Sequence, residues 1–223
     1  PLLLNFRLSA PTALPELLSG LASLPGLLLS SLLALFCLLA WRLLDALGEL
    51  TRLTHTDPLT QTLNRRGFYE QASTRLAMAQ REHQQVAVLL MDIDFFKKIN
   101  DQHGHTVGDE VLRALARIVL SNVRATDCAG RYGGDEFAIV LRGMHLDGAT
   151  AVAHRIREQV QALQLHDMPG LQFTTSMGVA TADHRHSSLR AWIDAADAAL
   201  YVAKNGGRNQ VAGCMEPALV PAV

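Results

Sequence analysis

The sequence predicts an α+β fold: a central, mostly antiparallel sheet flanked by helices, preceded by a transmembrane helix and a helical stalk. Three observations carry this reading. No charged residue occurs from Leu17 to Trp41. Beyond the stalk, helical and strand patterns follow one another as α, β, α, β, β, α, β, α over residues 56–211. Two of those strands are joined only by a short segment centred on Gly133-Gly134, the mark of a hairpin and hence of antiparallel pairing.

At 223 residues the chain holds one ordinary domain and something more. Its formal net charge of -1 excludes a binder of nucleic-acid polymers, which needs a basic surplus on one face. Hydrophobic residues make up 49% and charged residues 18%, an apolar excess concentrated in the early run. Cys37, Cys128 and Cys214 have neither metal-ligand spacing nor an even count, so a reduced, cytoplasmic setting is expected for the globular part.

Residues 1–16 contain Pro1, Pro11 and Pro15 and read as a short non-cytoplasmic segment or the remnant of a truncated sensor. The uncharged run of residues 17–41 is long enough to cross a hydrocarbon core of roughly 30 Å as a helix. Gly20, Pro25 and Gly26 weaken its first half, so Leu21 to Trp41 is the firmest span. A signal-peptide core would need a basic segment before it and a cleavage pattern after it; a buried soluble helix would be shorter. Arg42, Arg52, Arg65 and Arg66 follow the run against Arg7 before it, which points the C-terminal part to the cytoplasm. Residues 42–55 form the stalk, where Leu43, Leu47, Leu50 and Leu53 make a short seam suited to pairing two chains or to packing on the chain's own domain.

Pro58 ends the stalk. Helices are expected at Asn64–Ala79, Gly108–Ser121, Ala149–Leu163 and Ser188–Lys204, the last stopped by Asn205-Gly206-Gly207. Strands are expected at Gln85–Met91 and Phe173–Ala180. The hairpin arms are Asp127–Tyr132 and Glu136–Leu141, with Gly133 and Gly134 taking positive φ angles at the turn. Residues 212–223, with Pro217 and Pro221, read as a loose tail.

Two acidic clusters stand at strand ends, Asp92 with Asp94 and Asp135 with Glu136. Each alone reads as a solvated turn or strand end. On neighbouring strands they would converge, and carboxylates at short range call for a cation. Oxygen donors without His or Cys suit Mg²⁺ or Mn²⁺ over Zn²⁺. A metal held by few carboxylates commonly shares its coordination with substrate phosphates. The amides of Phe95 and Phe96 lead into a turn with Lys97 and Lys98, and Lys204 and Arg208 could close on the same anion. With Asn100 and Asp109 able to read a purine edge, the set suggests a nucleoside triphosphate site.

These residues also carry a family resemblance. Asp57-Pro58-Leu59-Thr60, Asn64-Arg65-Arg66, Asp92-Ile93-Asp94-Phe95-Phe96-Lys97-Lys98-Ile99-Asn100-Asp101, Gly104-His105, Gly108-Asp109, Gly133-Gly134-Asp135-Glu136-Phe137 and Ala195-Ala196-Asp197-Ala198-Ala199-Leu200-Tyr201, with Lys204, Gly207, Arg208 and Asn209, occur in order. The chain resembles the GGDEF-domain diguanylate cyclases. The resemblance implies a nucleotide-cyclase-like, palm-like fold and condensation of two GTP into cyclic di-GMP with release of two pyrophosphates, by a homodimer in which each domain holds one GTP. It further implies that Asp92, the Ile93 carbonyl, Asp135 and Glu136 hold the metal. Asn100 and Asp109 would bind guanine; Lys97, Lys204, Arg208 and the amides of Phe95 and Phe96 would bind phosphates. Asp135, Glu136 and Lys204 would be the catalytic set, Asp135 assisting deprotonation of the attacking hydroxyl. The expected location is the cytoplasmic membrane of a bacterium, with the catalytic domain inside.

Arg124-Ala125-Thr126-Asp127 resembles the family's inhibitory product site, with Arg155 where a further arginine is often found. An arginine fork can pair with guanine or phosphate, and Asp127 could accept from guanine nitrogens. One departure stands out: Gln61 occupies a position where the family commonly has glycine, which implies a local change in the turn. The alternative reading is a catalytically silent GGDEF domain acting as a receptor for cyclic di-GMP or GTP.

Overall fold

The computed structural model describes residues 28–45, 55–165, 168, 170–182 and 188–215. The chain divides into two units, Pro1–Leu53 and Thr54–Val223. In the first, α1 spans Leu28–Asp45, 18 residues with a mean hydropathy of 1.8, long and apolar enough to cross a membrane. It runs on past Trp41 through Arg42 and Asp45 without a break, because no glycine or proline interrupts it there. The seam positions Leu47, Leu50 and Leu53, the segment 1–16 and the first part of the apolar run lie outside the described residues.

The second unit contains α2 (Arg65–Arg81), β1 (Val86–Ile93), α3 (Phe96–His103), α4 (His105–Asn122), β2 (Cys128–Arg131), β3 (Glu136–Arg142), α5 (Leu146–Gln161), β4 (Thr175–Ala182), α6 (Leu189–Asn205) and β5 (Val211–Met215). The sheet order is β2-β3-β1-β4-β5. β1 lies at the centre, antiparallel to both β3 and β4, and β5 joins β4 in parallel at the edge.

The nearly unbroken apolar run of β1 follows from its position. Ala87, Leu89, Met91 and Ile93 pack on one face with α4 and α5; Val86, Val88 and Leu90 pack on the other with α2 and α6. Both faces of the central strand are covered, so neither set of alternating side chains can be polar. The charged Asp92 enters only where the strand reaches the sheet's end.

Two elements differ from the sequence expectation. Residues Phe96–His103, expected as a turn, form α3, a helix of only eight residues that buries Ile99 alone, too short for a repeating apolar pattern to be followed over several turns. Residues 212–215, expected in a loose tail, belong to β5. Its Ala212 and Gly213 lack β propensity, and the strand is held by pairing to Met177–Thr181 of β4.

One contact sets how α6 lies on the sheet. At Gly178 of β4, an added Cβ would run into the Ala196 carbonyl and the Leu200 amide of α6. Helix backbone therefore rests directly on strand backbone, and Lys204 projects one turn beyond that point. Gly178→Ala is expected to push α6 outward and destabilise the domain by about 1–3 kcal/mol, read as a lower urea midpoint.

Candidate active site

The site forms where the C-terminal end of β1 meets the N-terminal end of β3. Register places Asp92 directly opposite Glu136 on one side and Ser176 on the other. Asp92 and Glu136 thus share one neighbourhood by strand geometry alone. Lys204 Nζ reaches in from α6 to Asp92 Oδ2 at 2.8 Å.

The electrostatics show strain in this arrangement. Burial pushes the Asp92 carboxyl above its ordinary value; Lys204 opposes that shift, and the charges of Asp135 and Asp94 reinforce it. Burial also raises Glu136, followed by repulsion from Asp92, with Asp135 and Asp197 adding to it and Lys204 working against it. Two carboxylates that stay above their ordinary range even with Lys204 beside them offer oxygen donors that suit a divalent cation. Among the described residues, no three His, Cys, Asp or Glu side chains gather closely enough to hold a metal by themselves. Such a pair leaves coordination positions for water or a phosphate.

The glycine turn differs from its expected geometry. Neither Gly133 nor Gly134 has a positive φ. The amides of Tyr132 and Gly133 donate to the Glu136 carbonyl at 2.8 and 3.2 Å, so the chain reverses over three residues, 133–135, and a tight two-residue turn is not required. Glycine at 133 serves a different need: a Cβ there would lie 2.5 Å from Glu136 Oε2. The carboxylate folds back over bare backbone. Arg131 ties the loop down by donating from Nε and Nη2 to the Gly134 carbonyl at 3.0 and 2.7 Å. The same guanidinium pairs with Asp57 at 3.4 Å. Burial works against the Asp57 charge, but hydrogen bonds from Thr60 and the pull of Arg131 outweigh it and hold its carboxyl below the ordinary value. Gln61, the departure noted in the sequence, closes that turn in a left-handed conformation with φ of 59°, which glycine would take without Cβ crowding.

Asp94 separates from the acidic cluster in which the sequence placed it. It is buried, taking hydrogen bonds from Ser176 Oγ at 2.7 Å, Thr174 Oγ1 at 2.7 Å and the Asn209 amide at 3.0 Å. It ties β1 to β4 and to the loop after α6. Nothing in the Asp-Ile-Asp spacing distinguishes this role from that of Asp92.

Asn100 lies on α3 and Asp109 near the start of α4, joined by Gly104. Asn100 Oδ1 sits against Gly108, where any Cβ would collide with it, and it is buried with no hydrogen-bond partner. An orphan acceptor of this kind is a place for a ligand N–H. Lys97 is exposed on the first turn of α3. Phe95 precedes that helix at φ 58°, and its ring is 52% exposed. Lys98 Nζ lies 4.5 Å from the ring centroid and Arg208 Cζ lies 4.4 Å from it. Sequence reasoning placed Arg208 with Lys204 but gave the Phe95 side chain no part.

The second predicted site lies at the other end of the hairpin. Arg124 is exposed, whereas Asp127 is buried and both its oxygens are engaged, Oδ2 by the Arg124 amide at 2.8 Å and Oδ1 by the Arg142 amide at 3.1 Å. Arg155 is exposed on α5 and donates from Nε to Asn122 Oδ1 at 2.5 Å. The structure therefore offers two arginines outward and uses the aspartate to shape the turn.

Fold and site together define an α+β domain that presents paired carboxylates and lysines at one sheet end, the equipment of phosphoryl-group chemistry. Residues 54–210 match the family model described as diguanylate cyclase, GGDEF domain, and the chain belongs to that family. It is 42% identical over 161 residues to the response regulator PleD of Caulobacter vibrioides, covering 71% of this chain and 36% of that protein. It is 36% identical over 171 residues to the probable diguanylate cyclase DgcC of Escherichia coli, covering 77% of this chain and 46% of that one. The chain thus spans less than half the length of these relatives. Among solved structures, it is similar to the GGDEF domain of DgcB from Caulobacter crescentus in complex with cyclic di-GMP, with a TM-score of 0.67, 32% identity and coverage of 72% of this chain and 95% of that one.

The raised carboxyls have a direct consequence for stability. A carboxyl whose folded-state value lies above its unfolded value binds protons more tightly when folded, so stability falls as pH rises through that window. Glu136→Gln removes one such charge. In EDTA it is expected to melt at a higher temperature than the parent chain at pH 7, and the gap should close as pH falls below the ordinary value of 4.5. Melting curves at several pH values check this.

Proposed function

We propose that the chain is a diguanylate cyclase, working as a homodimer anchored through its apolar N-terminal helix in a bacterial cytoplasmic membrane and inhibited by its product. The observation that carries the reading is the cross-strand pair Asp92 and Glu136, two raised carboxylates with Lys204 of α6 reaching Asp92. An arrangement that disfavours its own charges suits chemistry that brings a cation and a polyanion together.

Asp92, Asp135, Glu136 and the Ile93 carbonyl would hold Mg²⁺ or Mn²⁺, which when bound lowers the cost of ionising the attacking hydroxyl and neutralises charge on the α-phosphate and leaving group. The orphan Oδ1 of Asn100 accepts from the guanine edge, with Asp109 beside it. Lys97, Arg208 and the amides of Phe95 and Phe96 receive the phosphates. Lys204 turns from Asp92 to the same phosphates, exchanging one anionic partner for another. Asp135 assists removal of the 3′-hydroxyl proton. The 3′-oxygen forms a bond to the α-phosphorus of the second GTP while the bond to the bridging oxygen breaks, and its electron pair leaves with pyrophosphate. Repeating the step with the roles exchanged closes the ring and releases the second pyrophosphate. One domain presents one nucleotide, so two domains must face each other.

The full chain in detergent micelles, given GTP and Mg²⁺, is expected to yield cyclic di-GMP and two equivalents of pyrophosphate by chromatography. Asp92→Asn and Glu136→Gln should each lower the rate by about 100-fold or more. Tight nucleotide binding without product by a verified dimer would instead make the chain a receptor.

Arg124→Ala removes one of the two outward arginines and leaves the Asp127 contacts to main-chain amides in place. The variant should keep its initial rate and lose inhibition by added cyclic di-GMP; unchanged inhibition would remove Arg124 from the product site.

A further inference from the structure

Among the described residues, five non-glycine residues have positive φ: Gln61, His83, Phe95, Arg208 and Asn209. Three of them meet at one place. Phe95 precedes α3, Arg208 and Asn209 follow α6, and the Arg208 guanidinium lies over the Phe95 ring while the Asn209 amide is tied to Asp94, next to Phe95 in the chain. Left-handed backbone outside glycine is strained, and strain concentrated at one point signals a geometric demand.

Burial does not meet that demand for Phe95, whose ring is 52% exposed. The ring instead gathers charge: Lys98 Nζ at 4.5 Å and Arg208 Cζ at 4.4 Å from its centroid. An aromatic face attracts each cation, while the two cations repel one another. Two positive groups held on one ring, one from the first turn of α3 and one from the loop after α6, form a site prepared for an anion with several charges.

We propose that the Phe95 side chain is a positioning residue, an aromatic post that holds Lys98 and Arg208 for the polyphosphate tail of the substrate. This rests on the nucleotide reading above and adds the ring and Lys98 to it. Phe95→Leu keeps the main-chain amide and an apolar side chain of similar reach, and removes only the aromatic face.

The test uses the full chain in detergent with Mg²⁺ and inorganic pyrophosphate as the probe, measured by calorimetry. Phe95→Leu is expected to weaken pyrophosphate binding about fivefold, the scale of exposed cation–ring contacts. Phe95→Tyr should restore it, and the melting temperature should not change. Lys98→Gln should weaken binding similarly, and the double variant Phe95→Leu, Lys98→Gln should lose less than the two single effects combined. Wild-type affinity in Phe95→Leu overturns the proposal, as does a loss that Phe95→Tyr fails to restore. If the parent chain makes no cyclic di-GMP while the pyrophosphate pattern holds, the cyclase reading falls and the role of the ring stands.

Discussion

The site depends on the register between β1 and β3. Pairing Leu89 with Ile139 and Met91 with Phe137 buries those side chains on the face shared with α4 and α5, and the same pairing puts Asp92 across from Glu136. A slip of one residue would turn the apolar set toward the wrong face. The hydrophobic core therefore enforces a carboxylate pair that is unfavourable by itself. Packing energy spread over many contacts holds in place a local electrostatic penalty, and that penalty is what disposes the site to accept a cation and a phosphate.

Around that pair, the remaining contacts serve as positioning. Gly178 lets α6 lie against β4, which brings Lys204 to Asp92. Asp94 fastens β4 and the loop after α6 to the end of β1. Arg131 fixes the glycine loop to its own carbonyl and to Asp57. The Gly178 contact is one of close packing and the others are polar, and all are short-ranged. Together they join the ends of β1, β3, β4 and α6: Asp92, Glu136 and Lys204 bring charge from three of these elements, and β4 supplies the Ser176 hydroxyl that holds Asp94.

Much of this was legible in the sequence because its physics is periodic or local. The long helices and the covered central strand announce themselves by spacing, and the acidic pairs by their place at strand ends. What was not legible depended on contacts between distant segments. Asp92 and Asp94 look alike in sequence, and only the arrival of Thr174, Ser176 and the Asn209 amide makes the second a tether. The glycines of the turn were read through backbone freedom, but Gly133 is required by the side chain of Glu136 three residues later. β5 gave no signal because Ala212 and Gly213 within it are small and its stability comes from a partner strand. The seam from Leu43 to Leu53 extends beyond the described residues.

The Asp127 hydrogen bond to the Arg142 amide closes the hairpin at the end opposite to Glu136. Between Arg142 and Glu136 runs one fully paired strand of about 20 Å, bonded along its length to β1 and over most of it to β2. Such a strand cannot be stretched or shortened without breaking its ladder. An event at the Arg124 turn can thus reach the carboxylates only as a tilt or shift of the whole hairpin, so the two ends of β3 move as ends of a lever.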